Sequence, residues 1–115
     1  MVPILRVRSV AATLPFYLDQ LGCRVHLDAG FYAVLALLGE ELHLQEDGAA
    51  PGRQSAMIRV ADADAAWAGL LARGWRPPSR PESPVHAGPV DQSWGQREFY
   101  VDDPDGNTIV YAGPP

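Results

Sequence analysis

Lysine is missing from this chain. All nine basic residues are arginine, set against fourteen acidic ones, for a formal charge of −5. Without a primary side-chain amine there is no Schiff-base chemistry and no lysine-held pyridoxal phosphate. An acidic balance with scattered arginines argues against a nucleic-acid partner, which needs a basic patch over the phosphates. The single cysteine, Cys23, excludes an intrachain disulfide. It lies where a strand should begin, so a buried structural thiol is expected. No apolar run approaches a membrane span and no basic-then-apolar leader opens the sequence, so no membrane partner is expected and the cytoplasm is the expected location. The serines and histidines form no nucleophile signature, and there is no glycine-rich phosphate loop. No cofactor is called for.

What is present reads as one domain of 115 residues containing two copies of one unit. In the first, Ile4 to Arg8 alternates like a strand. Leu14, Tyr17, Leu18 and Leu21 recur at helical spacing within 9–21, and Gly22 is the stop. Pro15 suits such a helix only in its first turn. Strands follow at 24–28, 31–38 and 41–46, with turns at Ala29-Gly30 and Gly39-Glu40. In the second copy Ala56 to Val60 is a strand, and Asp62 or Asp64 caps a helix. Trp67, Leu70 and Leu71 supply that helix's apolar stripe and Gly74 its end. A shift of 53 residues places Arg6 on Arg59, Val7 on Val60, Ala12 on Ala65 and Leu18 on Leu71. The expected fold class is α+β, a tandem βαβββ arrangement with repeat one at about 1–46 and repeat two at about 55–115. A polar linker, 47–54, joins them. The stretch 76–93 holds five prolines and cannot be a central strand. It predicts one short edge strand near 75–80 and then a loop that delivers Trp94 to the sheet's rim, with His86 exposed to solvent.

Strand alternation assigns faces. Leu5 and Val7, Leu42 and Leu44, Ala56, Ile58 and Val60, and Phe99 and Val101 take the helix-covered side. That leaves Val2, Ile4, Arg6, Glu41, His43, Gln45, Ser55, Met57, Arg59, Glu98, Tyr100, Thr108 and Val110 for the opposite, concave side. Charges in such a cleft must be paired or wet. One reading pairs Arg6 and Arg59 with Glu41 and Glu98 as structural ion pairs. The other makes the same groups a polar ligand cleft.

The segment Trp94-Gly95-Gln96-Arg97-Glu98-Phe99-Tyr100-Val101-Asp102-Asp103-Pro104-Asp105-Gly106-Asn107 carries a resemblance as well as a hairpin signal. It resembles the carboxy-terminal hairpin of the glyoxalase/bleomycin-resistance/extradiol-dioxygenase superfamily, closest to the bleomycin-resistance branch. The resemblance covers nearly the whole chain. It implies two repeats curving into an eight-stranded open barrel with outer helices. In the superfamily's enzymes, side chains from the first and fourth strands of each repeat hold a divalent ion. Here those corners fall at about Val2, His43, Ser55 and Val110, and only His43 is a good ligand. A divalent site needs at least three protein donors, so no metal is expected.

Proteins of the bleomycin-resistance branch are dimers that sequester a flat, cationic antibiotic in clefts shared with the partner subunit. By that resemblance Trp94 stacks on the drug and Phe31 supplies a second ring. Trp94 capping the barrel or packing on a partner, and Phe31 lying in the core, stay open beside this. The leading expectation is a metal-independent, homodimeric binder of a small planar, cationic ligand, bound by Phe31, His43, Trp94, Glu98, Tyr100, Arg6 and Arg59. The alternative is a metal-dependent glyoxalase-like lyase or isomerase, or a dioxygenase, with a displaced site around His43. A third reading is an interaction module whose cleft joins subunits.

Overall fold

A computed structural model describes the whole chain, Met1–Pro115. The first strand, β1 (Ile4–Val7), alternates as its sequence does: Leu5 and Val7 are buried, Ile4 and Arg6 exposed. Ser9 then caps α1 (Val10–Pro15), its hydroxyl accepting the Ala12 N–H at 3.2 Å. Pro15 is not in the first turn but is the last residue of α1, and the chain runs straight on into a π-helical turn, Phe16–Gln20. Proline has no N–H to return to the preceding turn, and the wider turn begins immediately after it. The stripe still forms, since Leu14, Tyr17 and Leu21 are all buried.

Strands β2 (Arg24–Asp28), β3 (Tyr32–Leu37) and β4 (Glu40–Glu46) complete the first repeat. The β3–β4 reversal is Leu38-Gly39 rather than Gly39-Glu40. Both turn residues have positive φ, 50° and 84°, which suits a tight two-residue hairpin. In the second repeat β5 (Ser55–Arg59) leads to α2 (Ala63–Ala72), whose cap is Asp62, accepting the Ala65 N–H at 3.1 Å. The strand expected near 75–80 is absent. Pro77 and Pro78 have no ladder donors to offer, and pairing is deferred past a short helix, α3 (Pro84–Ala87), to β6 (Val90–Asp91). The hairpin β7 (Arg97–Asp102) and β8 (Thr108–Gly113) closes the chain.

The architecture is α+β, with two four-stranded sheets in the orders β1-β4-β3-β2 and β5-β8-β7-β6. In each, the first and fourth strands are parallel and the other neighbours antiparallel. Ile4 lies opposite His43 and Met57 opposite Val110, so the same register recurs 53 residues on from the first strand. Helices α1 and α2 each cover one face of a sheet, and a single cluster of 21 buried residues runs through both repeats. Polar groups tie the repeats together. The Tyr17 hydroxyl donates to Asp103 Oδ2 at 2.7 Å, Asn107 Nδ2 donates to the Arg6 carbonyl at 2.8 Å, and the Arg73 guanidinium reaches the Asp19 and Leu18 carbonyls. The other face of each sheet is open at its first strand, with Ile4 at 45% and Met57 at 48% exposure, while on the second sheet Glu98 and Val110 are buried on it.

A candidate ligand cleft on the uncovered sheet faces

Burial of Phe99 and Val101 turns Glu98, Tyr100 and Asp102 to the uncovered face of the second sheet. Trp94, in the turn before β7, is 61% exposed, yet its indole is not free to swing. Its Nε1–H donates to Glu98 Oε2 at 3.0 Å, and Glu98 beneath it is only 1% exposed. The ring is thus presented to solvent on a fixed tether.

His86 departs from expectation: it is buried, not solvent-exposed. Its ring packs edge-on against Tyr100, centroids 5.6 Å apart. Nδ1 lies 2.7 Å from Ser83 Oγ and Nε2 lies 3.1 Å from Asp102 Oδ2, which also accepts from Arg80 Nη1 at 2.7 Å. Together these contacts clasp the proline-rich segment onto β7. Burial alone would raise the Asp102 carboxyl. Hydrogen bonds from His86 and Thr108, with the charges of His86 and Arg80, more than reverse this and hold it below the usual carboxylate range.

On the first sheet, Tyr32, Glu41 and His43 form a second polar group. The Tyr32 hydroxyl lies 2.6 Å from His43 Nδ1, and His43 Nε2 lies 2.6 Å from Glu41 Oε2. Glu41 also lines a cavity of about 490 Å³ with Val2, Glu40, Met57 and Arg59, which joins the two repeats. The ion pairs expected for Arg6 and Arg59 do not form. Glu41 is engaged by His43 and Glu98 by Trp94, Arg6 approaches Asp47 at 3.8 Å, and Arg59 has no ion-pair partner. Arg59 shares a cavity with Glu41 without closing to ion-pair distance, and Glu98 is buried with its carboxylate on the Trp94 indole.

The expected site residues therefore fall into groups. Trp94 and Glu98 touch, and Tyr100 lies on the same face against His86. His43 belongs with Tyr32 and Glu41, and Arg59 shares the cavity with Glu41. Phe31 sits just ahead of β3, 66% exposed, and neither it nor Trp94 stacks on another ring of the same chain. Arg6 lines a different cavity. Sequence reading missed His86, Asp102 and Tyr32. Alternation along β7 and β3 would have placed Asp102 and Tyr32, but nothing local signals where the loop lays His86.

The corners of the superfamily's ion cage do not suit a divalent cation. Of the four corners, Val2 and Val110 have no donor atoms on their side chains, Ser55 offers only a hydroxyl, and His43 is a single imidazole. Both ring nitrogens of His43 already have hydrogen-bond partners. No three His, Cys, Asp or Glu side chains converge as a ligand set.

Similar structures share the architecture end to end. The bleomycin-binding protein of Streptomyces verticillus, solved with copper(II)-bleomycin, is 25% identical, with a TM-score of 0.77 over 100% of this chain and 95% of that one. A glyoxalase/bleomycin resistance protein from Catenulispora acidiphila is also 25% identical, with a TM-score of 0.77 over 100% and 97%. The bleomycin resistance determinant encoded on transposon Tn5 is 19% identical, with a TM-score of 0.82 over 99% and 96%. No protein of curated function matches. The family profile matches residues 2–111, and with the repeat topology described above it is decisive: the chain belongs to the Glyoxalase/Bleomycin resistance protein/Dioxygenase superfamily.

Proposed function

We propose that this protein is a metal-independent binder of a flat, cationic small molecule of the bleomycin type, acting as a homodimer by sequestration. The observation that carries the reading is Trp94, an indole face open to solvent while its N–H is held by the buried carboxylate of Glu98. A pre-fixed ring loses little freedom when a planar ligand stacks on it, and each stacking contact contributes about 0.5–1.5 kcal/mol beyond area burial. Glu98 beneath the ring and the net charge of −5 favour a cation, and the cavity joining the repeats sets Glu40 and Glu41 against one guanidinium, Arg59. The similar Streptomyces verticillus protein holds copper(II)-bleomycin, which supports this ligand class. A second copy over the uncovered faces would build two clefts and let Phe31 of one chain approach Trp94 of the other. The unsuitable ion cage supports binding rather than metal-assisted chemistry.

Tryptophan fluorescence on titration with metal-free bleomycin tests the reading. Saturable quenching is expected, and Trp94→Ala should weaken binding by about 2- to 12-fold for the lost stack. Stoichiometric divalent metal in protein purified without chelator, with thermal stabilisation on adding that ion, would sink it in favour of the lyase, isomerase or dioxygenase reading.

A further inference from the structure

Three of the nine arginines of this acidic chain line one cavity of about 600 Å³. Arg6 and Arg8 reach it from β1 and the residue just beyond, and Arg53 from the linker, whose residues Ala49 to Gly52 form its wall. Arg8 and Arg53 have no ion-pair partner. Arg6 has only Asp47, at 3.8 Å. The other Asp47 oxygen already accepts the N–H groups of Ala49 and Ala50, at 3.1 and 3.0 Å. Three cations against one partly committed carboxylate make a positive concavity in a negative protein.

Arg53 adds an independent observation, because its φ is +64°, a region where an L side chain crowds its own backbone. The fold imposes this angle from both sides. The Gly52 N–H is held by the Arg6 carbonyl at 2.9 Å, the Gln54 N–H by Asn107 Oδ1 at 3.2 Å, and the Gln54 carbonyl by the Thr108 N–H at 2.8 Å. Glycine would meet the same constraints without strain. The other non-glycine residue with positive φ, Leu38, sits in a two-residue hairpin that demands it. At position 53 no hairpin explains an arginine, and a strained residue kept in place points to use of its side chain.

We propose that Arg6, Arg8 and Arg53 form a binding site for the phosphate group of a small phosphorylated molecule, distinct from the Trp94 cleft. A guanidinium matches phosphate oxygens as a planar fork, which ammonium groups cannot do. The cavity exceeds a single phosphate in size and leaves room for the rest of the ligand.

Thermal unfolding in 10 mM inorganic pyrophosphate, against sodium chloride at matched ionic strength, tests the site on wild type, Arg8→Gln, Arg53→Gly and Trp94→Ala. Pyrophosphate should raise the wild-type midpoint by about 3 °C over chloride. Arg53→Gly should raise the midpoint without anion by about 2–5 °C, through relief of strain, yet lose most of the pyrophosphate shift. Arg8→Gln should lose most of that shift too. Trp94→Ala should keep it, which separates this site from the antibiotic-type cleft. A wild type that responds no more to pyrophosphate than to chloride, or a full shift retained by Arg8→Gln and Arg53→Gly, would overturn the proposal.

Discussion

Asp102 accepts hydrogen bonds from Thr108 and Arg80 and faces the His86 ring, so its ionisation is tied to how the proline-rich segment lies on β7. Its folded pKa is depressed, which fixes the sign of the pH effect. The contribution is fully present above the unfolded value, about 3.9, and is lost as pH falls through the lower folded value. Urea midpoints measured from pH 7 down to pH 3 should therefore fall for the wild type below about pH 4. Asp102→Asn should start lower at neutral pH and lose less on acidification. Equal acid limbs for the two proteins would contradict the assignment. Cys23 illustrates the opposite case. Burial pushes its thiol up to about 12 against the lowering effect of Arg73, as suits the structural thiol expected from its position.

At the scale of elements, the Asp103–Asn107 turn does more than reverse the chain. The Asp103 carboxylate accepts the Asp105 and Asn107 N–H groups at 2.9 and 2.8 Å while also taking the Tyr17 hydroxyl from the first repeat. The linker is pressed onto the same turn. A Cβ at Gly52 would lie 2.1 Å from the Asp105 carbonyl oxygen, and φ there is +84°. Gly52→Ala must therefore displace backbone as well as adopt a strained angle, and should destabilise by at least about 2 kcal/mol in denaturant unfolding. A loss under about 0.5 kcal/mol would mean that the linker is not seated as described. The turn signal was readable from Asp103-Pro104-Asp105-Gly106, because aspartate and glycine serve such turns by local chemistry. Its grip on Tyr17, 86 positions away, was not.

For the whole molecule, the two uncovered sheet faces and their exposed Ile4, Met57 and Trp94 are what a second copy would cover. Gel filtration at micromolar concentration should give a dimer, and Met57→Glu should move it toward monomer by placing a charge on that face. A wild-type monomer would leave the shared-cleft proposal without support. The strand faces were legible in the sequence, since a period of two with buried Leu5, Val7, Leu42, Leu44, Phe99 and Val101 leaves no other assignment. The ion-pair partners were not. Which carboxylate meets which arginine depends on the distance between sheets, and alternation carries no such distance.

Local pattern by itself determined the order of elements apart from the second repeat's second strand, narrowed the α2 cap to Asp62 or Asp64, and gave the Gly22 and Gly74 stops and the final hairpin. Each depends on residues a few positions apart. Only the tertiary structure decided that Trp94 rests on Glu98, that His86 is buried against Tyr100 and Asp102, and that Arg53 is held at a strained angle beside Arg6 and Arg8. These contacts join a loop to a strand or a linker to both repeats. Their geometry is set by packing over long separations, where residue spacing says nothing about distance.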